Sequence, residues 1–80
     1  MNVDTLVTMA NQIADFFVAE SGTDAAPHEI AVHITKFWAP PMRTQIIAHA
    51  AAGGDGLQPA ALSAVQLLQL PLVKTALAAV

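Results

Sequence analysis

His28, His33 and His49 are the side chains whose ordinary titration range lies near neutrality, so acid–base or metal chemistry would have to start with them. A helical metal site places its ligands one turn apart, as in H-E-x-x-H. His28 and His33 are five residues apart, which separates them by about 140° around a helix. His33 and His49 fall on neighbouring predicted helices, but two histidines so placed do not complete a metal-ligand set. The histidines therefore read as hydrogen-bonding or interface groups. Ser21, Ser63 and the threonines lack a recognisable His/Asp arrangement, and no paired carboxylates mark a cleft. Gly53-Gly54-Asp55-Gly56 invites a phosphate-binding reading. A phosphate loop, however, needs a preceding strand and a Gly-Lys-Ser/Thr ending, whereas here a helical pattern precedes and Leu57-Gln58-Pro59 follows. The glycines read instead as a helix terminator.

What remains is recognition chemistry. Phe37-Trp38 followed by Arg43 combines the residue types most enriched at the energetic centres of interfaces. Phe37 is assigned to the core, and Trp38 to core or interface. Arg43, Gln45 and His49 project from one predicted helix, with Gln45 and His49 sharing a face at i,i+4. Such a polar trio on an apolar helix suits specific hydrogen bonding to a partner.

The elements that must position these residues are all helical: apolar side chains recur at three- and four-residue steps and no alternating strand pattern occurs. A first helix is predicted over about Thr5–Glu20 behind an Asp4 cap, with Leu6, Met9 or Ala10, Ile13, Phe16 and Phe17 as its buried stripe. Ser21-Gly22-Thr23-Asp24 separates it from a second helix over about Ala25–Trp38, with Pro27 in its first turn and Ile30, Ile34, Phe37 and Trp38 on its buried side. Pro40 ends that helix by disfavouring helical geometry at Ala39. Pro40 and Pro41 open a third helix reaching about Ala52, and Leu57 and Pro59 open a fourth carrying Leu62, Val65 and Leu68 or Gln69. Pro71 starts a last short turn or helix. The expected fold is all-α: four to five short helices joined by tight Pro/Gly loops in one small bundle spanning residues 1–80.

Composition sets the conditions this bundle must meet. The chain has 80 residues and no cysteine, so neither disulfides nor thiolate-bound metal can staple it. Only 11% of its residues are charged and 55% are hydrophobic, a surface too poor in charge for a small free domain. No uncharged apolar run approaches the roughly 18 residues of a membrane span, and Asp4 with no basic N-terminal region argues against a signal peptide. Lys36, Arg43 and Lys74 are scattered and outnumbered by six acids, which excludes a nucleic-acid backbone as partner. A protein partner remains. Residues 1–35 hold five acids and no Lys or Arg, a polarity that can orient docking.

Two separated blocks resemble a known family. "LVTMANQIADFF" (residues 6–17) and "FWAPPMRTQIIAHAAAGGDGLQP" (residues 37–59) are similar to the delta subunits of soluble NAD-dependent molybdenum formate dehydrogenases, whose pattern runs close to LVxMANQIxxFF and then FWxPRMRxxIxxHxxxGGxGLxPL. The likeness covers about residues 3–65 and leaves the apolar tail 66–80 unmatched. Pro41 stands where the family usually has Arg, leaving Arg43 as the guanidinium at that place. The resemblance implies a non-catalytic accessory subunit of a cytoplasmic complex, docked on a large alpha subunit and supporting its stability or assembly. It implies no cofactor on this chain; the alpha, beta and gamma subunits would carry bis-molybdopterin guanine dinucleotide with Mo (or W), iron–sulfur clusters and FMN, and bind NAD. The residues expected at the partner interface are Asn11, Gln12, Phe17, Trp38, Arg43, Gln45, His49, Gly53, Gly54 and Gly56. A transient assembly factor, an unrelated homo-oligomeric helical module and a small DNA-binding regulator are the rival readings; the acidic balance disfavours the last.

Overall fold

The computed structural model describes residues 2–68. They form three helices, α1 (Val3–Phe37), α2 (Pro40–Ala51) and α3 (59–68), with no strand among the described residues. This is fewer than the four to five expected. The first two predicted helices are the two arms of α1, and the predicted turn at Pro71 lies outside the described residues.

The arms join at a single residue. Gly22 has φ 83° and ψ 166°, while its neighbours stay helical. That region of backbone space is essentially closed to residues with a Cβ, so one glycine reverses the chain where Ser21-Gly22-Thr23-Asp24 was expected to act as a linker. A straight 35-residue helix would be about 52 Å long, more than the 37 Å longest dimension of the molecule. Pro27 falls shortly after the break, so its missing N–H costs only a bond to the start of the second arm. The N-cap is Asn2 rather than Asp4: its side chain accepts from the Thr5 N–H at 3.2 Å, and Asp4 sits in the first turn, where the helix dipole favours a carboxylate.

Each arm buries one line of residues four apart: Leu6, Ala10 and Ala14 on the first, Ala26, Ile30 and Ile34 on the second. The alanines at the contact allow close approach of the helices. The buried stripe of the first arm is thus rotated from the predicted one. Met9, Ile13 and Phe17 are half-buried against the core, and Phe16 is 57% exposed. Trp38 is buried at 5% exposure in the extended segment between α1 and α2. Ala39 is also extended, as the following proline requires, and Pro40 and Pro41 open α2. Ile46 and Ala50 from α2 and Ala61, Ala64, Val65 and Leu68 from α3 complete the core, which contains no buried polar side chain among the described residues.

Candidate functional site

Two features of the surface use the singled-out residues, and they do different work. The first is a polar clamp that fixes the loop between α2 and α3. The second is an open apolar groove bounded by the two arms of α1, Trp38 and the first turn of α2.

The clamp begins at the end of α2. Gly54 N–H donates to His49 O at 2.9 Å and Gly53 N–H donates to Ala50 O at 3.1 Å, the paired bonds of a Schellman ending. Gly54 is buried at φ 66°, a left-handed backbone that favours glycine, and a Cβ there would oblige Leu62 Cδ1, 2.7 Å away, to shift. His49 Nε2 donates to the Asp55 carbonyl at 2.7 Å. Across the fold, Asn11 donates through Nδ2 to Gly56 O at 2.9 Å and accepts from Gln58 N–H through Oδ1 at 2.9 Å. One turn on, Asp15 Oδ1 accepts from Gln58 Nε2 at 2.9 Å. The side-chain amide of Asn11 thus stands in for a backbone neighbour, satisfying groups that no regular element reaches. The glycine run is a helix terminator, as its context indicated, while the Asn11 bonds that hold it were not legible. The available signal was Asn11 and Asp15 at i,i+4 on a helix face, where Asn is a poor helix former.

Arg43 makes a second internal contact. Its Nη1 donates to the Trp38 carbonyl and, at 3.3 Å, to Thr35 O, so the guanidinium caps the C-terminal end of α1. A cation there also opposes the negative end of the helix dipole. Gln45 lies exposed on α2, apart from both features. Of the trio Arg43, Gln45 and His49, all carried by α2 as expected, Arg43 and His49 bond backbone carbonyls on different segments of this chain.

The groove encloses about 500 Å³ and is lined by Met9, Gln12, Ile13, Phe16, Phe17, His33, Phe37, Trp38 and Met42. Its walls are continuous aromatic surface. Phe16 and Phe17 meet edge to face at 5.0 Å between ring centres, Phe17 meets His33 at 6.0 Å, and His33 meets Phe37 at 4.8 Å. Gln12, Phe17 and Trp38 of the expected interface residues line this groove; Asn11, His49, Gly53, Gly54 and Gly56 belong to the clamp. Phe37, assigned to the core by its position in the pattern, is 71% exposed. Trp38 takes the core position instead, because the chain leaves helical geometry there and turns the indole inward while Phe37 ends α1 outside. Met42 carried no recognition signal in the sequence, whereas Met9, Ile13 and Phe16 belong to the Met9–Phe17 stretch, the second candidate, read as core on one side.

The groove supplies apolar contact area with only Gln12 and His33 as polar lining groups. Among the described residues no group of three or more His, Cys, Asp or Glu is arranged to hold a metal ion, and no helix is long and apolar enough to cross a membrane. A surface of this kind offers area to bury rather than groups for bond chemistry. No curated protein and no solved structure matches the chain. The family profile of the NADH-dependent formate dehydrogenase delta subunit, FdsD, matches residues 5–65, a span that holds the kinked α1, α2, the clamped glycine loop and most of α3. The chain belongs to that family.

Proposed function

We propose that this chain is a non-catalytic accessory subunit of a cytoplasmic NAD-dependent formate dehydrogenase, docked on the large molybdenum-containing alpha subunit through the aromatic groove. The observation that carries the reading is an open groove walled by Phe16 and Phe37, 57% and 71% exposed, on a member of the delta-subunit family. Exposed aromatic surface on so small a domain is stable in solution when another chain covers it. Its action is linkage: a partner that binds only the folded, cofactor-loaded alpha subunit stabilises that form, by about 2.7 kcal/mol at a hundredfold excess over Kd. The molybdenum–bis-molybdopterin guanine dinucleotide centre (or its tungsten counterpart), the iron–sulfur clusters, FMN and the NAD site are assigned to the alpha, beta and gamma subunits. The sequence of this chain, without cysteine, offers no thiolate for a cluster.

The test is gentle affinity purification of the chain from its host, with stoichiometry by native mass spectrometry and formate-dependent NAD reduction assayed on the eluate. The expected result is elution of the alpha, beta and gamma subunits in fixed ratio with this chain, with activity. A mature active enzyme free of the chain would indicate a transient assembly factor. Elution of the chain alone as a stable oligomer would refute docking.

A further inference from the structure

The groove also indicates what kind of segment fills it. We infer that its occupant is a short helical segment of the partner subunit, with apolar side chains at three- and four-residue steps and a Lys or Arg at the end lying over the Gly22 turn. This rests on the docking reading above.

The inference starts from register. Gln12, Phe16 and Glu20 form one line of residues four apart on the first arm, and Glu29, His33 and Phe37 form another on the second. Aromatic contacts through Phe17 and His33 bring the two lines together across the turn. Along the first arm the lining runs from Met9 to Phe17, about 12 Å or two helical turns, so the groove is the length of a short helix segment. The walls are helices whose backbone groups are already paired within them, so no sheet edge is offered and recognition must run through side chains. Apolar anchors at helical spacing satisfy walls of Phe, Met and Ile.

Charge sets the direction. One turn past Phe16 lies Glu20, exposed; one turn before His33 lies Glu29, half-exposed. By register both carboxylates stand beyond the lining residues toward the Gly22 turn, within a stretch of 35 residues that contains no Lys or Arg. Exposed Lys36 lies at the opposite end beside Phe37. An occupant with its base at the turn end is complementary; one reversed sets that base against Lys36 and leaves both carboxylates unpaired. A second copy of this chain is a poor occupant, because one concave groove laid on another leaves the space unfilled, whereas a convex helix fills it.

The experiment uses the complete enzyme complex carrying a photoreactive phenylalanine analogue at position 16 or 37, with the crosslinked peptide read by mass spectrometry. It is paired with the affinity of the double variant Glu20→Lys/Glu29→Lys for the complex lacking this chain. The expected peptide comes from a partner subunit, has helical apolar spacing and carries a Lys or Arg. The expected affinity loss is about tenfold at roughly 50 mM salt, shrinking at about 500 mM as the rim charges are screened. Crosslinks to a second copy of the chain, to a segment without a base, or to nothing would overturn the inference, as would unchanged affinity of the double variant at low salt. Failure of the wild-type chain to bind the complex would instead refute the docking reading, before any variant is compared.

Discussion

Removing the Asn11 side chain tests whether the glycine loop is held by the clamp or only by its own helix ending. In Asn11→Ala the Gly56 carbonyl and the Gln58 N–H both lose their partner, each bond being 2.9 Å in the native fold. A hydrogen bond contributes about 0.5–1.5 kcal/mol net, and the Gln58 bond is partly buried, so the two together contribute about 2 kcal/mol. Alanine is the better helix former by roughly 0.5 kcal/mol, which offsets part of the loss. The net destabilisation is about 1.5 kcal/mol, or a fall of about 6–12 °C in Tm for a domain of this size. Gln12→Ala is the control: Gln12 is adjacent and exposed, it lines the groove, and its stability effect is expected within about 0.5 kcal/mol. Thermal melts of the full chain by circular dichroism measure both, and hydrogen exchange at the Gln58 amide reports the clamp directly. Melts of the two variants within about 2 °C of each other, with Gln58 still protected, would refute the clamp.

Two further perturbations probe how α1 is built. Gly22→Ala places a Cβ in backbone space that excludes it, so the variant is expected either to lose about 1–3 kcal/mol or to let α1 straighten. Small-angle scattering distinguishes these, because a straight α1 lengthens the molecule beyond 37 Å; wild-type stability with wild-type dimensions would contradict the kink assignment. Arg43→Ala should cost about 1–2 kcal/mol by uncapping the last turn of α1, with Arg43→Lys recovering only part because an ammonium lacks the planar fork. Equal urea midpoints for Arg43→Ala and wild type would place Arg43 outside the fold's own bonding.

Much of this architecture was legible because its signals are local. The Pro40-Pro41 pair, the extended Ala39 before it and the glycine ending of α2 each follow from what one residue does to its own backbone. The α1 kink was located but misjudged in extent, since composition shows a break near Gly22 without showing that one residue suffices. The buried stripe of the first arm went to Leu6, Ala10 and Ala14 because close packing rewards small side chains, which a hydrophobicity pattern undervalues. Phe16 faces outward for the same reason, while Phe37 is left outside because Trp38, just past the end of α1, takes the core position. The long-range bonds from Asn11 to residues 56 and 58 depend on tertiary placement, and helical spacing alone cannot supply that.

The central claim is that exposed aromatic side chains of the groove bind the large subunit. The measurement that meets it most directly is the affinity of Phe16→Ala/Phe37→Ala for the complex lacking this chain, by competition against the wild-type chain with native mass spectrometry as readout. Both rings are largely exposed in the free chain, so the double variant should keep its helical spectrum and a melting temperature near wild type. As interface anchors they are worth about 2 kcal/mol each, and the account expects affinity to fall by at least about a hundredfold. A folded double variant that enters the complex as readily as the wild-type chain would contradict it.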